Sequence, residues 1–253
     1  MVVDGLVNAF INITLFIIVI MLVKKIESIR NKDYTPVYWI SLKKHDIKLF
    51  VIGIIVALLY KLAVGSIGII GGTMELIVNG PGMAKFIIFT LASSFGFLGV
   101  ALFEEGLYRG YVMQVAFRKL PKVLAIVLQA LVFGLVHYSN YSKQPHTWIR
   151  IIDAILIGVI FGVIVIKTKS LMFTVGTHLF YDATEQMLFL DNPYKFTRFI
   201  CFQNTNYLSS SLFYTEFIEL SMLSILTVVL IFLFRKNLFY DKSFSTNLRS
   251  KGA

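Results

Sequence analysis

The chain has 253 residues, 57% of them hydrophobic and only 15% charged, with a mean hydropathy of +0.77. A soluble globular domain carries about 25% charged and 45–50% apolar residues, so this composition excludes one and indicates a membrane protein. On a water-soluble chain a net charge of +10 would suggest a nucleic-acid partner; here the basic residues lie between apolar runs, where they orient spans in a lipid bilayer, and no nucleic acid is expected. Cys201 is the single cysteine, which excludes an intrachain disulfide and a thiolate metal cluster.

Apolar runs of the ~20 residues needed to cross a bilayer occur at 6–23, 47–70, 122–138, 149–166, 171–190 and 212–234. A seventh, 83–118, is longer and contains charges. The first run has Asp4 in place of a basic leader and reads as a retained span. The expected fold class is all-α: one polytopic transmembrane helix bundle over 1–253, with about seven spans. Of the 24 Lys and Arg, those in 24–48, 118–122, 167–169 and 235–253 number seventeen and fall on one side of this arrangement. Four fall on the other side, in 139–150 and 191–211, and Lys61, Lys85 and Arg109 lie within spans. The positive-inside rule then places the N-terminus outside and the C-terminus in the cytoplasm. Gly158 and Gly162 form a Gly-x-x-x-Gly on the fifth span, read as a close helix contact.

Ionisable side chains within spans cost about 2.5–3.5 kcal/mol each on insertion scales and are functional candidates by default. In chain order they are Lys61, then Phe103-Glu104-Glu105-Gly106-Leu107-Tyr108-Arg109-Gly110, then Phe133-Gly134-Leu135-Val136-His137, then Asp153, then His178-Leu179-Phe180-Tyr181-Asp182 with Glu185. The basic turn Arg118–Lys122, with Pro121, marks an interfacial hairpin tip. Glu104 precedes Arg118 by 14 residues and His137 follows Lys122 by 15. At ~1.5 Å per residue both lie roughly 21–23 Å from the same turn, so an antiparallel hairpin brings them to one depth.

Glu105 and Arg109 are four apart in the favourable acid-before-base order and are expected to pair as structural support. Glu104 is rotated about 100° away and is left unneutralised, which suits a general base. His178 and Asp182 share one helix face, with Thr174 and Glu185 extending the stripe. A free Glu, two His and an Asp on three spans at overlapping depths are expected to form a site. Lys61, Asp153 and Glu185 are expected to be structural, Asp153 through Arg150 one turn away. His45 and His146 are read as loop residues without a role.

These motifs resemble the CPBP family of CAAX proteases and bacteriocin-processing enzymes. Its signatures Glu-Glu-x-x-x-Arg, Phe-x-x-x-His and His-x-x-x-Asn/Asp match at Glu104, Glu105 and Arg109, at Phe133 and His137, and at His178 and Asp182. The similarity covers about 85–190, the expected catalytic core. It implies an intramembrane endopeptidase acting on a membrane-associated peptide or protein, in which Glu104 and His137 activate water and His178 with Asp182 faces the developing negative charge.

Asp182 departs from the Asn of the prenyl-protein proteases. An ionised Asp cannot donate a hydrogen bond to an oxyanion, so Asp182 must be protonated, orient His178, or bind a metal. Two His plus a carboxylate also make a catalytic zinc shell, drawn in that case from Glu104, His137, His178 and Asp182. The sequence lacks His-Glu-x-x-His, and the resemblance favours metal-free glutamate catalysis with no cofactor. The competing expectations are a non-catalytic bacteriocin-immunity or scaffold protein that binds a peptide in the same cavity, and an ion or proton carrier; the latter is weakened by the lack of an inverted repeat with broken helices. A bacterial plasma membrane is the expected location.

Overall fold

The computed structural model describes residues 2–29, 40–78, 83–143, 146–188, 200–204 and 209–235. It is an all-α bundle, as the apolar runs predict. The long helices are α1 (Val2–Ile29), α2 (Lys44–Ile70), α3 (Met83–Leu107), α5 (Lys122–Val136), α7 (Thr147–Thr168), α8 (Met172–Leu188) and α9 (Ser209–Arg235). Two short helices, α4 (Met113–Ala116) and α6 (Tyr138–Tyr141), follow α3 and α5. Among the described residues, four helical stretches, Lys44–Ile70, Lys122–Tyr141, Thr147–Thr168 and Thr215–Arg235, are long and apolar enough to cross a membrane. Many of their Leu, Ile and Val side chains face outward, for example Leu59, Leu124 and Val228. That would be unfavourable in water and is what a lipid-facing surface requires. Of the basic clusters that set the expected orientation, those in 30–39 and 236–253 lie outside the described residues, as does the side chain of Lys85.

The run 83–118 is a single helical path interrupted by a π-helical turn, Tyr108–Val112, which contains Arg109. One added residue per turn rotates the segment that follows, a device common at functional sites. Helices pack in the pairs α2 with α8, α1 with α3, α5 with α7, α3 with α8 and α7 with α9. The main core lies where α3, α4, α5, α7 and α8 meet, around Ala101, Met113, Ile126, Val163, Leu171 and Val175.

Small residues set how closely these helices approach. A Cβ on Gly176 would lie 2.2 Å from the Phe50 carbonyl oxygen, and one on Gly53 2.3 Å from that of Phe173, so α2 and α8 pack backbone to backbone. The Gly-x-x-x-Gly contact is present: Gly158 faces Ala130 and Gly162 faces Ile126 across the α5–α7 interface. Gln129 locks it by donating from Nε2 to the Gly158 carbonyl at 2.7 Å.

The bundle carries one element that the apolar runs do not predict. Segments 74–78 and 200–204, expected to be loops, form an antiparallel pair, β1 (Met74–Val78) and β2 (Ile200–Asn204), with Leu76 opposite Phe202. Met74 and Phe202 bury against Val64 at the end of α2. A five-residue strand buried through one or two side chains leaves too short an alternation to stand out within a generally apolar chain.

Candidate active site

Three helices and the π turn deliver the polar groups to one point. Glu104 and Glu105 come from the last turn of α3, Arg109 from the π turn, His137 from the C-cap of α5, and His178 and Asp182 from α8. The expected Glu105–Arg109 pair is present, with Nη1 2.9 Å from Oε1 and both side chains fully buried. The Arg109 guanidinium also lies over Phe133 at 4.2 Å and Phe161 at 5.2 Å. Two aromatic faces and a carboxylate thus hold the cation away from water.

Glu105 does more than pair with Arg109. The same Oε1 lies 2.9 Å from His178 Nδ1, so the imidazole is oriented by Glu105. Asp182 Oδ2 is instead 3.5 Å from the other ring nitrogen, Nε2. A contact between residues 73 apart is outside what helical spacing can reveal. Phe133 and Phe161 flank this ring as well, each 6.2 Å away.

His137 is fixed on its inner side too. Its Nδ1 is 2.7 Å from the Phe133 carbonyl oxygen. A carbonyl only accepts, so Nδ1 carries the proton and a neutral ring presents a bare Nε2 to the site. The ring stacks on Tyr141, with centroids 6.1 Å apart.

Both Nε2 atoms face Glu104. Its Oε2 is 3.8 Å from that of His137 and 3.7 Å from that of His178. These separations exceed direct hydrogen bonds and suit a bridging molecule. Glu104 Oε2 is buried and has no hydrogen-bond partner among the described residues. The two neighbouring glutamates therefore differ: Glu105 is held through Oε1 by both Arg109 and His178, whereas Glu104 faces both Nε2 atoms without a direct hydrogen bond to either.

Among the described residues no group of three or more His, Cys, Asp or Glu is arranged to hold an ion.

A cavity of about 300 Å³ extends from His137, His178 and Asp182 past Tyr141, Tyr181 and Phe161 to Arg150, Asp153, Glu185 and Glu219. The support of Asp153 by Arg150 expected from their spacing is not observed. Arg150 pairs with Glu216 of α9 at 2.8 Å, which it shares with His146 at 2.9 Å, and not with Asp153. His146 thus has a partner, and His45 lies in the first turn of α2 instead of a loop. Lys61, fully buried, binds Glu185 at 2.5 Å and Glu219 at 2.7 Å and stacks over Tyr181 at 3.9 Å. Glu216 and Glu219 escaped notice because their partners lie up to 158 residues away. The signal available was two acids three apart, an uncancelled charge pair on an otherwise apolar helix.

No curated protein and no solved structure matches the chain. Residues 86–184 match the family model described as Type II CAAX prenyl endopeptidase Rce1-like. That segment contains Glu104, Glu105, Arg109, Phe133, His137, His178 and Asp182. The chain is therefore an integral membrane protein whose segment 86–184 is similar to the Rce1-like type II CAAX prenyl endopeptidases, in agreement with the resemblance its motifs carry.

Proposed function

We propose that the chain hydrolyses a peptide bond of a membrane-associated peptide or protein with a water activated by Glu104 and His137, without a metal or other cofactor. The observation that carries this reading is Glu104 Oε2, buried and without a hydrogen-bond partner among the described residues, facing Nε2 of both histidines. A water between Glu104 and His137 gives its proton to Glu104, and its oxygen attacks the carbonyl carbon of the substrate. His178, with Nδ1–H held by Glu105, turns Nε2–H toward the oxyanion as an imidazolium. Asp182, in its carboxyl form, is the second donor to that oxygen. Collapse of the tetrahedral intermediate breaks the C–N bond, and Glu104 returns the proton to the leaving amine.

Glu105 and Arg109 are positioning residues in this scheme. The metal-dependent reading would use the same Nε2 atoms, each backed by an oxygen acceptor on Nδ1, as metal-bound histidines often are. The lack of a His-Glu-x-x-His motif and the family resemblance favour the metal-free reading over it. The distribution of basic residues supports an N-terminus outside and a C-terminus in the cytoplasm, and a bacterial plasma membrane is the setting we propose.

The test is peptide cleavage by the purified protein in vesicles, for wild type and Glu104→Gln, with and without chelator. Chelator-insensitive cleavage lost in the variant is the expected result. Retained cleavage in a folded Glu104→Gln protein would favour the non-catalytic alternative, a bacteriocin-immunity or scaffold protein binding a peptide in the same cavity.

A further inference from the structure

The half of the cavity beyond Asp182 is more acidic than its ion pairs require. Arg150 is engaged by Glu216, and Lys61 lies beneath the wall, shared by Glu185 and Glu219. Asp153 is left over. It lines the cavity, is only 7% exposed, and its Oδ1 is buried without a hydrogen-bond partner among the described residues. A carboxylate held this way in a bundle interior is costly unless something completes it. The two cations nearest this end of the cavity, Arg150 and Lys61, are committed to other acids, and the proposed reaction, confined to Glu104, His137, His178 and Asp182, does not use Asp153.

We propose that this end of the cavity is a specificity subsite for a cationic side chain of the substrate, a lysine or arginine close to the scissile bond, with Asp153 as its ion-pair partner. The inference rests on the peptidase reading and adds the substrate class. A cation entering there meets Asp153 with Glu219 nearby, and Tyr141 and Tyr181 line the same cavity. These are the groups that accept an ammonium or guanidinium together with its apolar stem. Arg150 also lines the cavity, but its charge is already paired with Glu216, which leaves the carboxylates to set the sign of the side chain admitted.

The experiment uses the full chain in lipid vesicles and a set of membrane-associated peptides in which one position at a time is lysine, arginine or norleucine. A hydrogen bond to a charged group predicts that kcat/KM for lysine or arginine exceeds that for norleucine by about tenfold or more at one position. In Asp153→Asn this ratio falls to near unity, and in Asp153→Glu it is kept. A wild-type ratio near unity, or an unchanged ratio in a folded Asp153→Asn protein, overturns the subsite. Binding of the same labelled peptides to the vesicle-embedded protein separates the two readings. If nothing is cleaved but lysine peptides bind more tightly than norleucine peptides in an Asp153-dependent way, the peptidase reading fails and the subsite stands. If binding shows no such preference, the subsite fails as well.

Discussion

The floor of the site and its reactive centre treat charge in opposite ways. At the floor, Arg109 is enclosed by Glu105 and two aromatic rings, and Glu105 holds His178 with the same oxygen. At the centre, Glu104, His137 and Asp182 face one another across 3.5–3.8 Å gaps through or beside His178 Nε2, with no direct hydrogen bond closing them. A buried ion pair that also holds a histidine gives rigidity, and the groups it positions are free to act on a substrate. The sequence places Glu104 and Glu105 side by side; the helix turns them to these separate tasks.

The largest expected effect falls on the centre alone. Glu104→Gln and His137→Ala should each lower cleavage about 10²–10⁴-fold while the detergent melt stays near that of wild type, since neither group holds helices together. Cleavage at the wild-type rate in either variant would remove the water-activating pair.

Substitution at the floor should do the reverse, acting on folding first. Arg109→Ala leaves Glu105 as an uncompensated buried charge, and breaking such a pair costs about 3–5 kcal/mol in soluble proteins. The yield of folded protein and the melting temperature should fall together. Adding Glu105→Gln should restore part of the stability but not the activity, because His178 would lose the carboxylate that orients it. An unaltered melt for Arg109→Ala would show that the pair is not structural.

A smaller effect is expected where the bundle holds α8 in place. Gly176→Val puts a side chain against the Phe50 carbonyl, and overpacking of this kind costs about 1–3 kcal/mol. Shifting α8 against α2 also displaces His178 and Asp182, so activity should decline more steeply than the melting temperature. Equal decline would mean that α8 moves without disturbing the site.

The smallest change expected is at Asp182. If it donates to the oxyanion, Asp182→Asn keeps or raises activity, because an amide donates without needing a proton from solvent. A chelator-sensitive enzyme crippled by Asn and restored by zinc would instead assign Asp182 to a metal.

The contrast between floor and centre was only partly legible in the sequence. Helical spacing identified Glu105 with Arg109, and a rise of 1.5 Å per residue from one turn brought Glu104 and His137 to one depth; in the structure they lie 3.8 Å apart. Local geometry determines both relations. The bond from Glu105 to His178 crosses between α3 and α8, and the Lys61 cluster joins α2, α8 and α9. Such pairs depend on how helices rotate against one another, which a polar residue's position along its own helix does not specify. The same limit produced the wrong partner for Arg150: proximity in sequence favoured Asp153, whereas packing of α7 on α9 supplied Glu216.

The central claim, that Glu104 makes this fold a peptidase, is tested most directly by comparing the peptides in membranes of cells carrying wild type or Glu104→Gln at equal abundance. The account predicts a set of cleaved peptides present with wild type, absent with the variant, and unaffected when the membranes are treated with a metal chelator. Identical peptide sets in the two membranes would contradict it.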